Sequence, residues 1–512
     1  MTPSSPPSWP PCGHGAAPAT DPVGCRGRHV PGHSACLAHL DEADRNAYLA
    51  TLSPGAGIDH SGTPFTGELL SSLLAALTDS AGRPCLGVAQ FNEAQFSGDA
   101  EFGGVKFSGD AWFNEARFSG DAHFGGALFS GSTHFGGTLF SGGAEFFRAV
   151  FERTAAVGPL VCTGTLDLSE AVFGTAVTIE AAASSLRCRR TRWSSTAALR
   201  LRHATVDLSD AVLQFPVTIS ARSRPFTVDA RELAEAGLTG PRVRAVSLRG
   251  VDAAHLVLTD IDLADCRFAG TIHLDQLRLE GLYLLAAAPS GLRRRGVWPV
   301  RWTARRTLVE EHHWRAARQA GANGWNPAPE GEEILTPAAL APVYRQLRKV
   351  FEDGKHEPGA ADFYYGEMEM RRHASDIPWS ERSLLAAYWA VSGYGLRASR
   401  ALGWLLVAMT ATVVAMMLWG LPQDGPKPAG TGRRITMTTH APNAVNPYAS
   451  YGERLSTDRF ERSLRVVINS VVFRSSGQGL TTAGTYAEMA SRLTEPVLLG
   501  LAVLAIRSRV KR

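Results

Sequence analysis

Phenylalanine recurs between residues 91 and 151 with a spacing that alternates strictly between five and six residues. A small or β-branched residue stands two positions before each Phe after the first, as Ala116 does before Phe118. Self-similarity at a fixed short period indicates a repeat protein whose units pack against their neighbours. The twelve Phe positions are Phe91, Phe96, Phe102, Phe107, Phe113, Phe118, Phe124, Phe129, Phe135, Phe140, Phe146 and Phe151.

Two architectures can produce an 11-residue period. One is a right-handed helical coiled coil, because 11 residues are close to three helical turns. The residues between the Phe positions exclude it, since FSGDA and FGGAL place one or two Gly beside each ring, at a cost of about 1 kcal/mol each inside a helix. Asp-Ala and Gly-Gly favour turns instead. The sequence therefore predicts a solenoid of short strands and tight turns.

The A-x-F-x-x and A-x-L-x-x units resemble those of the pentapeptide-repeat family. The resemblance implies a mainly β fold, a right-handed quadrilateral β-solenoid with one unit on each face. The Phe or Leu would be stacked inside, and the small residue would fill the corner. Four units per coil give about three coils for the Phe series, and these would extend roughly 14 Å at about 4.8 Å per coil.

The repeat loosens after residue 151 but continues. LDLSEAVF at 166–173 returns as VDLSDAVL at 206–213, and this 40-residue offset equals two coils of about 20 residues. A last regular series has interior centres at Leu258, Leu263, Phe268, Leu274, Leu279 and Leu284, with Cys266 in the small-residue position. We place the solenoid at 86–285, after an N-terminal cap at 1–85 in which ELLSSLLAAL predicts a short helix.

The C-terminal part is predicted to be helical. Residues 286–380 form a charged helical juxtamembrane linker, and residues 381–512 form a small α-helical membrane module. The main span is 401–421, which is uncharged and long enough to cross about 30 Å of hydrocarbon. A second span is expected at 486–506, and the shorter apolar run 383–396 favours an interfacial helix. The stretch from about 335 to 512 resembles actinobacterial membrane-anchored pentapeptide-repeat proteins with a two-span, channel-like module.

Basic residues predict the membrane topology. Arg371, Arg372, Arg397 and Arg400 precede the main span, and Arg507, Arg509, Lys511 and Arg512 close the chain. Under the positive-inside rule both flanks are cytoplasmic and the loop 424–460 faces outward. The N-terminus has neither a basic n-region nor an apolar h-region, so no secretory signal is expected. We therefore expect a multi-pass cell-membrane protein in contact with lipid, with its solenoid and C-terminal tail in the cytoplasm.

Four N-terminal residues are candidate metal ligands. Cys12, Cys25, Cys36 and His39 form C-x12-C-x10-C-x2-H, with His14, His29 and His33 nearby. These are the donor types that close a tetrahedral structural zinc site. Only the C-x2-H pair has zinc-like spacing, so free cysteines in a small cap are the alternative. The first ten residues, rich in Pro and Ser, are expected to be disordered.

The sequence contains no arrangement of nucleophile and base that predicts an enzyme. EEHHW, with Glu310, Glu311, His312 and His313, lacks two His four residues apart and is interpreted as a solvated helix face. Glu367 and Glu369 in GEMEMRRH are interpreted as a charged face with Arg371 and Arg372. No cofactor is expected beyond the zinc.

Charge argues against nucleic acid as a partner. The net charge is only +4. Some soluble members of the resembling family imitate DNA with an acidic surface. Here residues 91–153 hold eight acidic and four basic side chains, but the stretch 186–249 is rich in arginine.

The predicted function is a non-enzymatic membrane-anchored scaffold whose solenoid presents a surface to other proteins, and self-association is left open. The alternative is an ion channel or transporter-like protein with a degenerate pore loop. Its basis is the string GQGLTTAGTY at 477–486, which keeps Thr481, Thr482, Gly484 and Tyr486 but lacks the Val-Gly-Tyr-Gly core of a potassium filter.

Overall fold

The computed structural model describes residues 7–17, 22–240, 242–295, 298–301, 303–318, 324–422, 455–471 and 479–510. The chain divides into two compact units, Met1–Tyr364 and Tyr365–Arg512. The boundary between them falls inside the segment 286–380 that the sequence predicts as a linker. Each unit is described by itself.

The first unit contains a parallel β-solenoid of about nine turns, and its early coils have four faces. The same register repeats every 22 residues, so that Phe96 pairs with Phe118 and Phe107 with Phe129. The first face contains β1 (Ile58–Asp59), β4 (Ala89–Gln90), β8 (Ala111–Trp112) and β12 (Thr133–His134). The second face contains β2 (Pro64–Thr66), β5 (Gln95–Ser97), β9 (Arg117–Phe118) and β13 (Leu139–Phe140).

The third and fourth faces are built in the same way. The third contains β6 (Ala100–Glu101), β10 (Ala122–His123) and β14 (Ala144–Glu145). The fourth contains β3 (Cys85–Leu86), β7 (Lys106–Phe107), β11 (Leu128–Phe129), β15 (Val150–Phe151), β17 (Val172–Phe173), β19 (Arg192–Trp193) and β22 (Val212–Leu213). We call residues 85–151 the aromatic coils.

Stacked rings fill the interior of the aromatic coils. All twelve Phe side chains of the series are at most 2% exposed. Rings one coil apart lie nearly parallel, as Phe102 and Phe124 do at 4.9 Å between centroids, and rings on neighbouring faces meet edge to face, as Phe113 and Phe124 do at 5.5 Å. Both are favoured aromatic geometries. The predicted four-sided solenoid with inward Phe is confirmed.

Turns between the faces are held by side chains as well as by backbone. Glu93, Gly104, Glu115, Gly126, Gly137 and Arg148 recur every 11 residues with positive φ. Asp and Asn oxygens accept amide hydrogens from the next coil, as Asp99 does from Asp121 at 2.9 Å and Asn114 from Gly136 at 2.9 Å. These bonds satisfy corner amides that would otherwise have no partner in the sheets.

Longer strands follow, and the coils between Val177 and Ala221 repeat every 20 residues. We call residues 156–285 the aliphatic coils. Leu166, Leu186 and Val206 pair in register, so the predicted 20-residue coil is confirmed. The strands are β16 (Ala156–Asp167), β18 (Val177–Arg187), β20 (Ala197–Arg202), β21 (Thr205–Asp207), β23 (Val217–Ala221), β26 (Arg244–Ser247), β27 (Leu256–Thr259), β28 (Asp262–Leu263), β29 (Arg278–Glu280) and β30 (Leu284–Leu285). Two 3-10 turns, Ala253–His255 and Leu274–Gln276, complete the last coils.

A hairpin interrupts the aliphatic coils. β24 (Thr227–Val228) and β25 (Arg231–Glu232) pair antiparallel. Phe226 packs with Val161 and Ala182 on the outside of the second face, and Leu233 and Leu238 join this cluster. The hairpin therefore covers an outward apolar stripe of the solenoid.

The solenoid begins earlier than the sequence predicts. β1 and β2 already pair in parallel with β4 and β5, and Phe65 stacks on Phe96 at 5.2 Å. The period is hidden because helix α2 (Gly67–Ala76) is inserted between β2 and β3. α2 is the predicted apolar helix, and the Thr66 side chain caps it by accepting from the Leu69 amide at 3.2 Å. α1 (Glu42–Thr51) precedes the first coil.

Helices follow the last coil. α3 is Val309–Arg318, α4 is Pro337–Asp353 and α5 is Glu357–His373, which contains the boundary between the two units. The predicted helical character does not hold at its start, because β31 (Leu292–Arg295) and β32 (Trp298–Arg301) form an antiparallel hairpin. Pro299 lacks the amide hydrogen that a helix interior needs.

The second unit is helical. α6 is Trp379–Ser392, and α7 (Ala398–Ala415) continues as a π-helical turn, Met416–Gly420. α8 is Thr457–Val471 and α9 is Thr482–Val510. Two helical stretches, Ala398–Gly420 and Thr482–Arg507, are long and apolar enough to cross a membrane, and they coincide with the predicted spans. Most of the predicted outer loop 424–460 lies outside the described residues.

Candidate functional site

The N-terminal cap brings the four predicted metal ligands together. Cys12 and Cys25 lie on neighbouring extended segments joined by backbone hydrogen bonds, from Cys12 to Gly27 at 2.7 Å and from Gly13 to Cys25 at 2.9 Å. Cys36 and His39 lie on one tight turn, closed by the bond from the His39 amide to the Cys36 carbonyl at 2.9 Å. The long gaps in sequence are therefore bridged by a hairpin.

The candidate donor atoms form a compact group. One ligand atom from each of Cys12, Cys25, Cys36 and His39 lies within 4.8 Å of all the others. Sγ of Cys25 is 3.7 Å from Sγ of Cys36, and Nδ1 of His39 is 3.5 Å from Sγ of Cys12 and 3.3 Å from Sγ of Cys36. Cys36 is fully buried, and the other three residues are half-buried.

The two neighbouring thiols titrate as a pair. A hydrogen bond from Cys36 lowers the pKa of Cys25, and the same contact together with burial raises the pKa of Cys36. The Gly27 amide also donates to Cys25 Sγ at 3.4 Å. Amide donors stabilise a thiolate, the form that binds metals.

The other histidines near the cluster have different contacts. The His14 ring stacks on the His39 ring at 4.1 Å between centroids, and His33 faces Asp44 at 3.4 Å. Trp9 donates to the Arg26 carbonyl at 2.8 Å, so residues 7–10 belong to the cap and the prediction of disorder there was wrong. Residues 1–6 lie outside the described chain.

The EEHHW motif is buried, and its interpretation as a solvated face was wrong. Glu310, Glu311, His312 and His313 are at most 6% exposed. Glu310 accepts from the amides of Phe268 and Ala269 at 2.6 and 2.9 Å, so it caps the last coil. The prediction failed because the motif's helix packs against an exposed sheet edge, which sequence periodicity does not reveal.

A charged network surrounds Glu311. Its carboxylate accepts from Arg305 at 2.6 Å and from Arg315 at 2.6 Å, and the Tyr344 hydroxyl donates to it as well. Burial opposes ionisation of Glu311, but the two guanidinium groups outweigh burial and lower its pKa to about 2. Burial lowers the pKa of His312 to about 4. Through Glu311 the network connects Arg305 and α3 to Tyr344 of α4, and we interpret it as structural.

Glu367 and Glu369 are also buried, at 2% and 5% exposure, so the charged-face interpretation was wrong for them. Glu369 accepts from Arg372 at 2.7 Å and from the Tyr394 hydroxyl at 3.0 Å. The Arg372 guanidinium lies 4.6 Å from the centre of the Trp389 ring. These contacts join α5 to α6 and to Tyr394, which follows the end of α6.

The helical unit contains polar contacts that the sequence did not indicate. Glu495 is fully buried in α9, where it accepts from Ser470 at 2.6 Å and from Thr412 at 3.1 Å. Each partner comes from another helix, so no local spacing could have pointed to them. Arg459 donates to the carbonyls of Met417 and Leu421 at 2.9 Å each and caps the end of the π-helical turn.

The filter-like string adopts another conformation. Thr482, Gly484 and Tyr486 lie in the first turns of α9, and the Thr481 hydroxyl donates to the Trp419 carbonyl at 2.5 Å. A Cβ atom at Gly484 would lie 2.4 Å from the Gly420 carbonyl oxygen, so the two helices meet closely there. Residues 477 and 478 of the string lie outside the described part.

Stacked parallel coils with a filled interior define the first unit as a β-solenoid. Residues 85–128 match the family model of pentapeptide repeats (9 copies), which identifies this stretch of the solenoid as pentapeptide repeats. No curated protein and no solved structure matches the chain.

Proposed function

We propose that the chain is a non-catalytic scaffold, anchored in a membrane by α7 and α9, that presents its solenoid to a protein partner. The main support for a membrane anchor is the exposure of apolar side chains on α7 and α9. Only 28% and 22% of the most apolar windows of the two helices are buried. Leu406, Trp404, Leu493 and Val497 are each at least 50% exposed. A core helix of a soluble protein would bury such residues, whereas lipid accommodates them.

The packing of the helical unit supports the predicted topology. The end of the first apolar helix meets the start of the second at Gly420 and Gly484. The two helices are therefore antiparallel, with Arg397 and Arg400 at the same end as Arg507. This end is the cytoplasmic one under the positive-inside rule.

Thiol labelling tests this sidedness. Ser456 is exposed beside Arg459 at one end of the helical unit, and Ser399 is exposed at the start of α7. In intact cells an impermeant thiol reagent should label the Ser456→Cys variant and leave Ser399→Cys unlabelled. Labelling of Ser399→Cys alone would reverse the topology.

A partner surface is suggested by comparing two outward stripes. The second face bears Leu139 and Val161, which the hairpin residue Phe226 and its neighbours cover. The fourth face bears a shorter stripe, Leu128, Val150 and Val172, which stays half-buried, and Arg192 separates it from Val212, which is 42% exposed. We propose that an extended apolar segment of a partner protein lies on the fourth face as the hairpin lies on the second.

Arginine pairing argues for a protein partner and against nucleic acid. Several exposed arginines of the aliphatic coils pair with carboxylates of neighbouring coils, as Arg189 does with Asp207 at 2.6 Å and Arg200 with Glu180 at 2.9 Å. Cations already paired within the protein contribute less to phosphate binding.

Proximity labelling from the native membrane tests the partner surface. The double variant Val150→Lys, Val172→Lys should lose the proteins captured by the intact chain, because two ammonium groups would disrupt apolar contact. A matched control is Gln90→Lys on the first face. Unchanged capture in the double variant would contradict the proposed surface, and a dimer of the intact chain that the double variant dissolves would identify the occupant as a second copy.

Ion or proton transport is the second candidate, favoured by Glu495. A buried carboxylate within an apolar helix is costly and commonly marks a transport path. Currents through reconstituted protein in planar bilayers that disappear in Glu495→Gln and persist in the neighbouring variant Thr494→Val would support transport. A silent bilayer with folded protein would leave the anchor as the role of this unit.

A further inference from the structure

We propose that Cys12, Cys25, Cys36 and His39 bind one structural zinc ion through three thiolates and Nδ1. Three of the six donor separations match those of a tetrahedral site, and all four donor atoms lie within 4.8 Å of one another. Zinc lies about 2.3 Å from sulfur and about 2.0 Å from nitrogen, so tetrahedral angles separate two sulfur ligands by about 3.8 Å and sulfur from nitrogen by about 3.6 Å. The measured separations are 3.7 Å for Cys25 and Cys36, and 3.5 and 3.3 Å from His39 to Cys12 and Cys36.

A disulfide does not account for the cluster. Its sulfur atoms would be about 2.05 Å apart, whereas the Cys25 and Cys36 sulfurs are 3.7 Å apart and all seven cysteines are free. A disulfide between Cys25 and Cys36 would also not explain why Cys12 and His39 lie beside them. Four donors of zinc-binding type within 4.8 Å of one another favour a metal ion.

The backbone around the cluster is shaped to keep the ligands close. A Cβ atom at Gly27 would lie 2.6 Å from the Cys36 Cβ and 2.8 Å from its Sγ. Only glycine therefore lets the two segments approach. The Gly27 amide donates to Cys25 Sγ, and hydrogen bonds of this kind to a ligand residue hold it in the orientation that binds the metal.

Zinc would hold the cap over the edge of the first coil. The cap meets this coil through the bond from the Arg28 amide to the Ser61 carbonyl at 2.8 Å and through the ion pair of Arg28 with Asp59, and it meets the next coil through the ion pair of Arg26 with Glu93. Its own apolar core is small, with Val30, Cys36, Leu37 and Leu40 as the buried hydrophobic residues between 22 and 40. Small folds with so little core commonly depend on a metal, and an uncovered sheet edge invites aggregation.

The chemistry of the site is structural. On binding, each of the three thiols releases its proton to solvent and forms a sulfur–zinc bond, and no electron transfer is involved. Four protein ligands leave no coordination position for a reactive water.

Metal analysis of the full-length chain, purified in detergent with a reductant, tests the proposal. We expect about one zinc ion per chain, and we expect Co²⁺ exchanged into the site to give the visible absorption of a tetrahedral thiolate complex. Cys25→Ser, Cys36→Ser and His39→Gln should each lower the bound zinc by about tenfold or more at limiting metal. The matched controls Cys85→Ser and His33→Gln, whose side chains lie outside the cluster, should keep it.

Three results would overturn the proposal. The first is less than stoichiometric zinc in the chain after incubation with excess metal. The second is a zinc content that Cys25→Ser and Cys36→Ser leave unchanged. The third is a mass that shows a disulfide between these two cysteines under reducing conditions. The cobalt spectrum of the unaltered chain decides the matter even where a variant fails to fold.

Discussion

The aromatic coils and the aliphatic coils fill the interior of the solenoid in two different ways. In the aromatic coils each strand has two or three residues, and the Phe rings in or just after the strands reach the centre, where each stacks on the ring one coil away. In the aliphatic coils smaller side chains such as Ile179 and Leu199 fill most of the interior, beside the stacked Phe173 and Trp193, and strands of up to 12 residues run across two faces. Large planar side chains thus permit a strict short period, whereas smaller ones are compatible with longer strands and a looser period.

Truncating an interior ring should have the largest effect. Phe118→Ala and Phe124→Ala should each lower the free energy of unfolding by about 3 to 5 kcal/mol, because each ring is fully buried and stacked on both sides. Leu199→Ala in the aliphatic coils should cost about 3 kcal/mol. Urea unfolding of the full chain in detergent measures these changes. The exposed neighbour Arg117→Ala should change stability by less than about 0.5 kcal/mol, and equally small effects at all four sites would contradict inward packing.

Lowering the pH should destabilise both ends of the solenoid. Burial lowers the pKa of His60, before the aromatic coils, to about 4 from an ordinary 6.5. The unfolded chain therefore binds more protons below pH 6.5, and stability falls as the pH drops from 6.5 to 4, by about 3 kcal/mol for this residue. His312 after the aliphatic coils should add a similar loss.

Unfolding midpoints between pH 7 and pH 4.5 test this loss. His60→Gln should flatten the pH dependence, whereas the exposed control His273→Gln should retain it. An unchanged slope in His60→Gln would show that this histidine is not held neutral in the folded chain.

Corner substitutions should have intermediate effects. Glu115 has a φ of 58°, and Gly126 occupies the equivalent corner with a φ of 66° and open space around it. Glu115→Gly should raise stability by about 1 kcal/mol, and Gly126→Ala should lower it by about 1 kcal/mol, because left-handed backbone strains any residue with a Cβ. Arg190, a corner of the aliphatic coils, should gain less from glycine, since it pairs with Glu170 at 3.1 Å. Thermal unfolding measures all three, and a loss in Glu115→Gly would be inconsistent with corner strain.

The smallest effect is expected on the surface of the aliphatic coils. The pair of Arg200 and Glu180 is partly exposed, so Arg200→Ala should cost less than about 1 kcal/mol. The cost should shrink further at high salt, because exposed charges are screened. A large, salt-independent cost would mean that Arg200 contributes through packing instead of charge.

The same contrast explains what sequence could predict. Phe91 to Phe151 mark every face of the aromatic coils, so register and interior could be read directly. The first coil could not, because α2 separates Phe65 from the series. The burial of Glu310 and Glu311 was missed because it depends on the edge of a distant coil.

The candidate sites also differ in how much of each could be predicted from the sequence. The metal-ligand types in the cap were visible in the sequence, while their convergence depends on a hairpin whose Gly27 permits close approach. Ser470 and Thr412 lie on helices other than that of Glu495, so only the folded chain brings them together.

The repeated register makes the coil the natural increment of length. Because each corner and interior position is matched one coil away, as Asp99 is to Asp121, inserting or removing 22 residues in the aromatic coils preserves every neighbour relation except at the join. Each such step changes the reach of the solenoid by about 4.8 Å. Gene duplication could thus change the length of the solenoid in steps of one coil while the N-terminal cap and the helices that follow the last coil keep their own contacts.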